Sequence, residues 1–247
     1  MTRTAALDSA ALGGGVADDT QDIDDLIYLM SHDVRASVRA LLELPQWIAE
    51  DLEEAGVPIS GSVAQSIDMM NKHTARLDRM LIDLLAYSRV GRMQDVIRVD
   101  LNAMLEEVLG QIRLPDGMRI VRDIAPVPVR MGEQDALLMI SALIGNAVKH
   151  HDTPNKGEIL FQTSRTAGWV ILTVSDNGPG IAAQDYEKAI SAMTTLRPRD
   201  EVEGTGMGLA NVRKIAAHYG GQISLAPAAP SRGLSVRVTL PSSDAAD

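Results

Sequence analysis

Asn146-Ala147-Val148-Lys149-His150, Asp176-Asn177-Gly178-Pro179-Gly180 and Gly204-Thr205-Gly206-Met207-Gly208-Leu209 are three segments whose residue types and spacing can do chemistry. In the first, Asn146 stands three residues before Lys149 and four before His150, so on a helix all three share one face. In the second, a carboxylate precedes glycines at alternate positions. Such a loop lets a ligand approach the backbone while Asp176 accepts a hydrogen bond. The third opens a helix, where backbone amides can cradle a phosphate at the positive end of the helix dipole. Each segment alone also has a plainer reading, as a helix end, a tight turn or a helix entrance. Their joint order and separation carry the weight. No GxxxxGK[ST] segment occurs, so a P-loop is excluded, and the five histidines show no metal-cage spacing with the carboxylates.

The elements that must position these residues follow from periodicity. Helical spacing predicts a helix over Glu133–His150 carrying the first segment, and a helix near Leu209–Tyr219 opened by the third. Ile159–Thr163 and Trp169–Val174 flank Ala167-Gly168 as a hairpin, which puts Asp176 just past a strand. Further strands are expected at Val96–Val99, Arg119–Ile124, Val127–Arg130, Gln222–Ala226 and Leu234–Leu240. Asp100 is a candidate cap for a helix over Leu101–Ile112. Ala182 to Glu203 is polar and irregular. This mixture predicts an α+β fold with helices on one face of a mixed sheet.

The N-terminal half differs. Ile23, Ile27, Met30, Val34, Ser37, Leu41, Leu44 and Ile48 alternate steps of four and three, as do Val63, Ile67, Met70, Thr74, Leu77, Leu81, Leu84 and Ser88. Gly56-Val57-Pro58 and Gly61 separate the runs, so two helices buried along these seams form an antiparallel hairpin. Leu26, Leu42, Met69, Met80 and Leu85 add more apolar surface than one hairpin can cover, which predicts a homodimer closing a four-helix bundle. His32, in the frame of Met30 and Val34, lies two positions off the seam and projects outward. The expected divisions are a flexible tail over 1–20, a hairpin domain over 21–92 and a layered domain over 93–243.

Composition excludes several classes. A net charge of −10 argues against a nucleic-acid surface, and the absence of cysteine rules out disulfides and thiolate metal sites. No apolar stretch approaches the ~20 residues needed to span a bilayer. The expectation is a cytoplasmic protein with no membrane span.

With these segments in place, the chain resembles the histidine kinase family, whose ATP-binding domain belongs to the GHKL (Bergerat) ATPases. Asn146–His150 resembles the asparagine box, Asp176–Gly180 the DxGxG box and Gly204–Leu209 the GTGLGL box. Ser31-His32-Asp33-Val34-Arg35-Ala36 is similar to the phosphoacceptor segment SHELRT. Thr195–Glu203 and Ser88–Arg92 are similar to the branch that follows phytochrome-type or PAS sensors. The resemblance implies a dimeric four-helix bundle followed by an α/β sandwich, and a kinase that phosphorylates His32 from ATP and donates to a response regulator. It implies that Asn146 ligates Mg²⁺, Lys149 contacts a phosphate, and His150 packs near adenine where tyrosine or phenylalanine is usual. Asp176 accepts from the exocyclic amine of adenine. By the same resemblance Gly178 and Gly180 let the nucleotide lie close to the backbone, Ile181, Thr205, Gly206, Met207, Gly208 and Leu209 also bind it, and 182–203 form a lid hinged on Gly204, Gly206 and Gly208. Asp33 orients His32 or takes its second proton.

The departures from the pattern are Ala36 in place of threonine or asparagine, Ser37 in place of proline, and a lid without phenylalanine. Ile190 and Met193 are the nearest stand-ins, and Phe161 falls in a strand. Ala36 predicts a weak phosphatase. A signal would arrive through a separate sensor protein, or the chain is a fragment. Two rival readings are a degenerate dimeric scaffold that docks regulators and an anti-sigma-type serine kinase. Intact Asn146 and Asp176 weigh against the first, and the helix bearing His32 against the second.

Overall fold

The computed structural model describes residues 15–197, 204–228 and 232–242; within the first helix it describes the side chains of Tyr28 and of Val34 onward. The chain divides into two compact units, Met1–Arg89 and Val90–Asp247.

The first unit is a helical hairpin of α1 (Gly15–Glu54) and α2 (Gly61–Arg89). Gly56 ends α1 with a left-handed φ of 68°, while Val57 N–H bonds Leu52 O at 2.8 Å and Gly56 N–H bonds Glu53 O at 3.0 Å. That pair of bonds is a Schellman close. Two expectations need correction. Residues 15–20, read as tail, are helical in the backbone. The inner seam of α1 is Val38, Leu42, Pro45, Ala49 and Leu52, one position round from the seam read in the sequence. Val34, Leu41, Leu44 and Ile48 are instead 41–43% exposed. Both stripes keep heptad spacing, so periodicity alone does not say which faces the hairpin partner. Pro45 lies inside α1 and is buried; it has no N–H to donate to Leu41. Arg89 stacks on the Tyr28 ring, 5.2 Å from its centroid.

The second unit is the layered domain. Its main sheet runs in the order β2 (Arg119–Ile124), β4 (Glu158–Thr166), β5 (Trp169–Asp176), β7 (Leu234–Pro241) and β6 (Gln222–Pro227). The β2–β4 pair is parallel and the rest are antiparallel. A small antiparallel pair joins β1 (Ile97–Val99) to β3 (Val129–Met131). Alternate residues Ile159, Phe161, Val170, Leu172, Val174, Val236, Val238 and Leu240 are buried in one core with α3 (Leu101–Gln111), α4 (Glu133–Lys149) and α6 (Gly208–His218). Period-2 alternation on the strands thus meets apolar helical faces, each large side chain contributing about 1.5–3 kcal/mol of burial. Asp100 caps α3, accepting from Asn102 N–H at 2.9 Å. The stretch after β5 contains a 3-10 turn, Ala183–Asp185, and the short α5, Tyr186–Ala189. Phe161 is fully buried in β4. Of the two lid stand-ins, Ile190 is buried, whereas Met193 is 48% exposed with a φ of 58°.

Val90 and Gly91, assigned above to the hairpin, belong to this second unit. Val90 is in its core, and Gly91 N–H bonds Asp135 Oδ2 at 2.9 Å. No helix among the described residues is long and apolar enough to cross a membrane.

Candidate active site

The sequence of α4 explains how it presents its last turn. Ala136, Met139, Ile140, Leu143, Ile144 and Ala147 are buried, and this apolar stripe leaves Asn146 and Lys149 off the core face. Asn146 is half-buried and Lys149 exposed. His150 is the C-cap, its N–H bonding Asn146 O at 3.0 Å.

The loop Gly204–Gly208 lies against that turn. A Cβ placed on Gly208 would sit 3.1 Å from Asn146 Nδ2, and one on Gly204 would strike Lys149 Nζ. Gly206 has a φ of 77°, and a Cβ there would collide with the backbone of Thr194. Only glycine satisfies both demands. Met207 N–H bonds Thr205 Oγ1 at 3.3 Å, ordering the turn just before α6. Met207 and Leu209 are buried, so their side chains anchor the loop to the domain.

Asp176 stands at the end of β5. Its Oδ1 accepts N–H groups from Gly178 at 2.8 Å and Leu234 at 3.3 Å. Burial pushes its carboxyl above the usual range, and those two N–H bonds partly offset the rise. Gly178 is buried; Gly180 and Ile181 are half-buried. A Cβ on Gly180 would stand 2.9 Å from Gly233 O, so Gly180 packs on the residue that leads into β7. His150 is exposed at the surface, but desolvation by the atoms around its ring, with the charges of Lys149 and Arg197, pushes its pKa down to about 4. The imidazole is therefore neutral at pH 7.

The structure brings Asn146 and Lys149 together with the Gly204–Gly208 loop, keeps His150 beside them at the end of α4, and places Asp176, Gly178 and Gly180 in one loop against Gly233. The side chains of His32 and Asp33 lie outside the described residues; their backbone is part of α1. The sequence reading missed three contributors. His151 and Asn177 are hydrogen-bonded at 2.7 Å, and Gly233, with a φ of 113°, sits where a Cβ would strike Asp176 O. His151 directly follows the first segment and Asn177 lies inside the second, so both were within reach of a sequence reading. Gly233 comes from a remote Ser-Arg-Gly-Leu stretch whose sequence carries no signal.

The layered domain has the fold of the ATP-binding domain of histidine kinases. Residues 132–244 match the family described as histidine kinase-, DNA gyrase B- and HSP90-like ATPases. The chain is 27% identical over 216 residues to cyanobacterial phytochrome B of Nostoc sp., spanning 82% of this chain and 27% of that protein. It is 26% identical over 210 residues to the sensor-like histidine kinase SenX3 of Mycolicibacterium smegmatis, spanning 81% and 53%. With the adaptive-response sensory kinase SasA of Thermosynechococcus vestitus it shares 28% identity over 238 residues, spanning 92% and 62%. The chain thus covers between about a quarter and three-fifths of the length of these relatives. Full-length ShkA in complex with AMPPNP superposes with a TM-score of 0.65 at 21% identity, over 89% of this chain and 46% of that one. The mycobacterial sensor histidine kinase MprB gives 0.52 at 22% identity, over 60% and 97%. The chain resembles the catalytic core of a sensor histidine kinase over most of its length, and residues 132–244 match the histidine kinase-like ATPase family.

Proposed function

We propose that this chain is an ATP-dependent protein histidine kinase that phosphorylates its own His32 and passes the phosphoryl group to an aspartate of a response regulator. The observation that supports this most is the convergence of Asn146 and Lys149 with the Gly204–Gly208 loop, where added Cβ atoms would fill the space beside a polar helix end. A cradle of that kind suits a polyphosphate. ShkA, of like fold, is a complex with AMPPNP, which supports the same ligand class here. Mg²⁺ is commonly held by one or two protein oxygens plus substrate phosphates, and Asn146 Oδ1 fits that role. Such an ion would neutralise charge on the phosphates.

In this reading Lys149 neutralises a phosphate, the amides of Thr205 to Leu209 bind phosphate oxygens, and Asp176 accepts from the adenine amine. The neutral His150 ring packs beside the base without repelling Lys149. Phosphoryl transfer needs little covalent help; in-line positioning and charge neutralisation do most of the work. The imidazole of His32 attacks the γ-phosphorus, ADP leaves, and Asp33 orients the ring or accepts its second proton.

The homodimer is part of the proposal. Val34, Leu41, Leu44, Ile48, Val63, Met70 and Leu77 leave apolar stripes 36–43% exposed on the hairpin, and a second copy covers them in a four-helix bundle. Sedimentation should give twice the chain mass, and a monomer at micromolar concentration contradicts the bundle. For the nucleotide site the test is calorimetry with Mg-ATP. Asp176→Asn should weaken binding by about 1–3 kcal/mol through loss of a buried acceptor. Unchanged affinity would remove the pocket from the account.

A further inference from the structure

The geometry points to His151 as a positioning residue that sets the base selectivity of the nucleotide site, an inference that rests on the nucleotide reading above. Its side chain is wholly buried directly behind the C-cap of α4. His151 Nε2 lies 2.7 Å from Asn177 Oδ1, and the N–H of Thr153 reaches Nδ1 at 3.1 Å. The N–H of Glu158 also meets Asn177 Oδ1, at 2.7 Å, so that atom is an acceptor. Nδ1 therefore carries no proton, and Nε2–H donates to Asn177. Asn177 is held further by Nδ2 donating to Lys156 O at 3.1 Å and by its own N–H on Glu158 O at 3.2 Å.

Asn177 stands between Asp176 and Gly178, and His151 Cδ2 is 3.5 Å from where a Gly178 Cβ would be. The imidazole is thus both spacer and tether between two parts of the site. One part is the end of α4, which carries the phosphate-side residues Asn146 and Lys149. The other is the loop that aims the Asp176 carboxylate at the base. Hydrogen bonds weaken steeply with misalignment, whereas charge on a phosphate tolerates small shifts. Loss of the tether should therefore cost recognition of the adenine amine before it costs phosphate binding. ATP would lose affinity while GTP, which offers no such amine at that position, would not.

The experiment measures Kd for Mg-ATP and Mg-GTP by calorimetry, together with the thermal midpoint, in wild type, His151→Phe and His151→Gln. Phenylalanine keeps the buried volume without the hydrogen bond; glutamine keeps an N–H donor. The expected result is an about tenfold fall in ATP affinity for His151→Phe with GTP affinity unchanged, and substantial rescue by His151→Gln. An unchanged ATP-to-GTP ratio in His151→Phe, even with a lower midpoint, overturns the inference and leaves His151 a purely structural residue. If His151→Phe does not fold, Asn177→Ser cuts the same tether from the other side and should lower the same ratio; an unchanged ratio there overturns it equally. Asp176→Asn separates the two levels. If it also keeps wild-type ATP affinity, the nucleotide reading itself has failed; if it alone loses affinity, only the role of His151 has.

Discussion

Desolvation, more than partner charge, governs the carboxylate and the imidazole that meet the proposed base. Asp176 is held above the usual carboxylate range because its surroundings disfavour the charged form. A raised folded pKa means this group favours the fold only while protonated, and that contribution is lost as pH rises through the folded value. At neutral pH the charge is retained against stability. Asp176→Asn should accordingly keep or raise the thermal midpoint without nucleotide while weakening ATP binding; a marked fall in the midpoint would contradict this. His150 shifts the other way, from 6.5 to about 4. Between those values the unfolded chain takes a proton that the folded chain refuses, so stability falls as pH drops through that window. An NMR titration of the His150 ring should find its midpoint near 4, and a midpoint near 6.5 would contradict the assigned environment. Ala36, exposed on α1, offers no group to hold an attacking water. Phosphatase activity toward the regulator should be weak, and Ala36→Thr should raise it by as much as a hundredfold, the scale of a lost orienting contact. Strong wild-type activity that the substitution leaves unchanged would place the water elsewhere.

The helices and strands show where sequence is sufficient and where it is not. The α4 stripe, the β4–β5 hairpin around Ala167-Gly168 and the Asp100 cap are local patterns, and all three are read directly from residue spacing. The hairpin seam is not, because two adjacent apolar stripes share one heptad period. The N-terminus of α4 is also illegible, for a non-local reason. Its N-cap, Gly132, has no side chain to satisfy the first amides. Gln94 Oε1 does so from outside, accepting from Gln134 N–H at 3.0 Å and Asp135 N–H at 3.4 Å. Tyr219 closes the same corner: its hydroxyl donates to Asp135 Oδ2 at 2.6 Å and accepts from Gly132 N–H at 2.9 Å. Burial and the Asp135 carboxylate push the phenol up to about 12. Gln94→Ala should cost about 1 kcal/mol, as loss of a cap does. Tyr219→Phe should cost about 1–3 kcal/mol, because it strands a backbone N–H. Urea unfolding measures both, and a Tyr219→Phe variant as stable as wild type would show the corner to be decorative.

At the scale of the whole molecule, the chemistry is divided. In the proposed reaction the second unit supplies the nucleotide segments and the hairpin supplies the acceptor His32, so neither alone completes it. Of the candidate site, the three glycine- and asparagine-bearing segments were legible because each is contiguous in sequence. The tether through His151 and Asn177 and the packing of Gly233 on Asp176 were not, because folding alone brings those residues together. The central claim joins the two units: phosphate from ATP reaches His32. The most direct measurement is incubation of the purified chain, and of His32→Gln, with ATP labelled at the γ-phosphate, followed by acid and alkali treatment of the protein. The account predicts acid-labile, alkali-stable label on the wild type and none on His32→Gln, with dimerisation and ATP binding retained. Label that persists in His32→Gln, or that survives acid as a phosphoserine would, contradicts it.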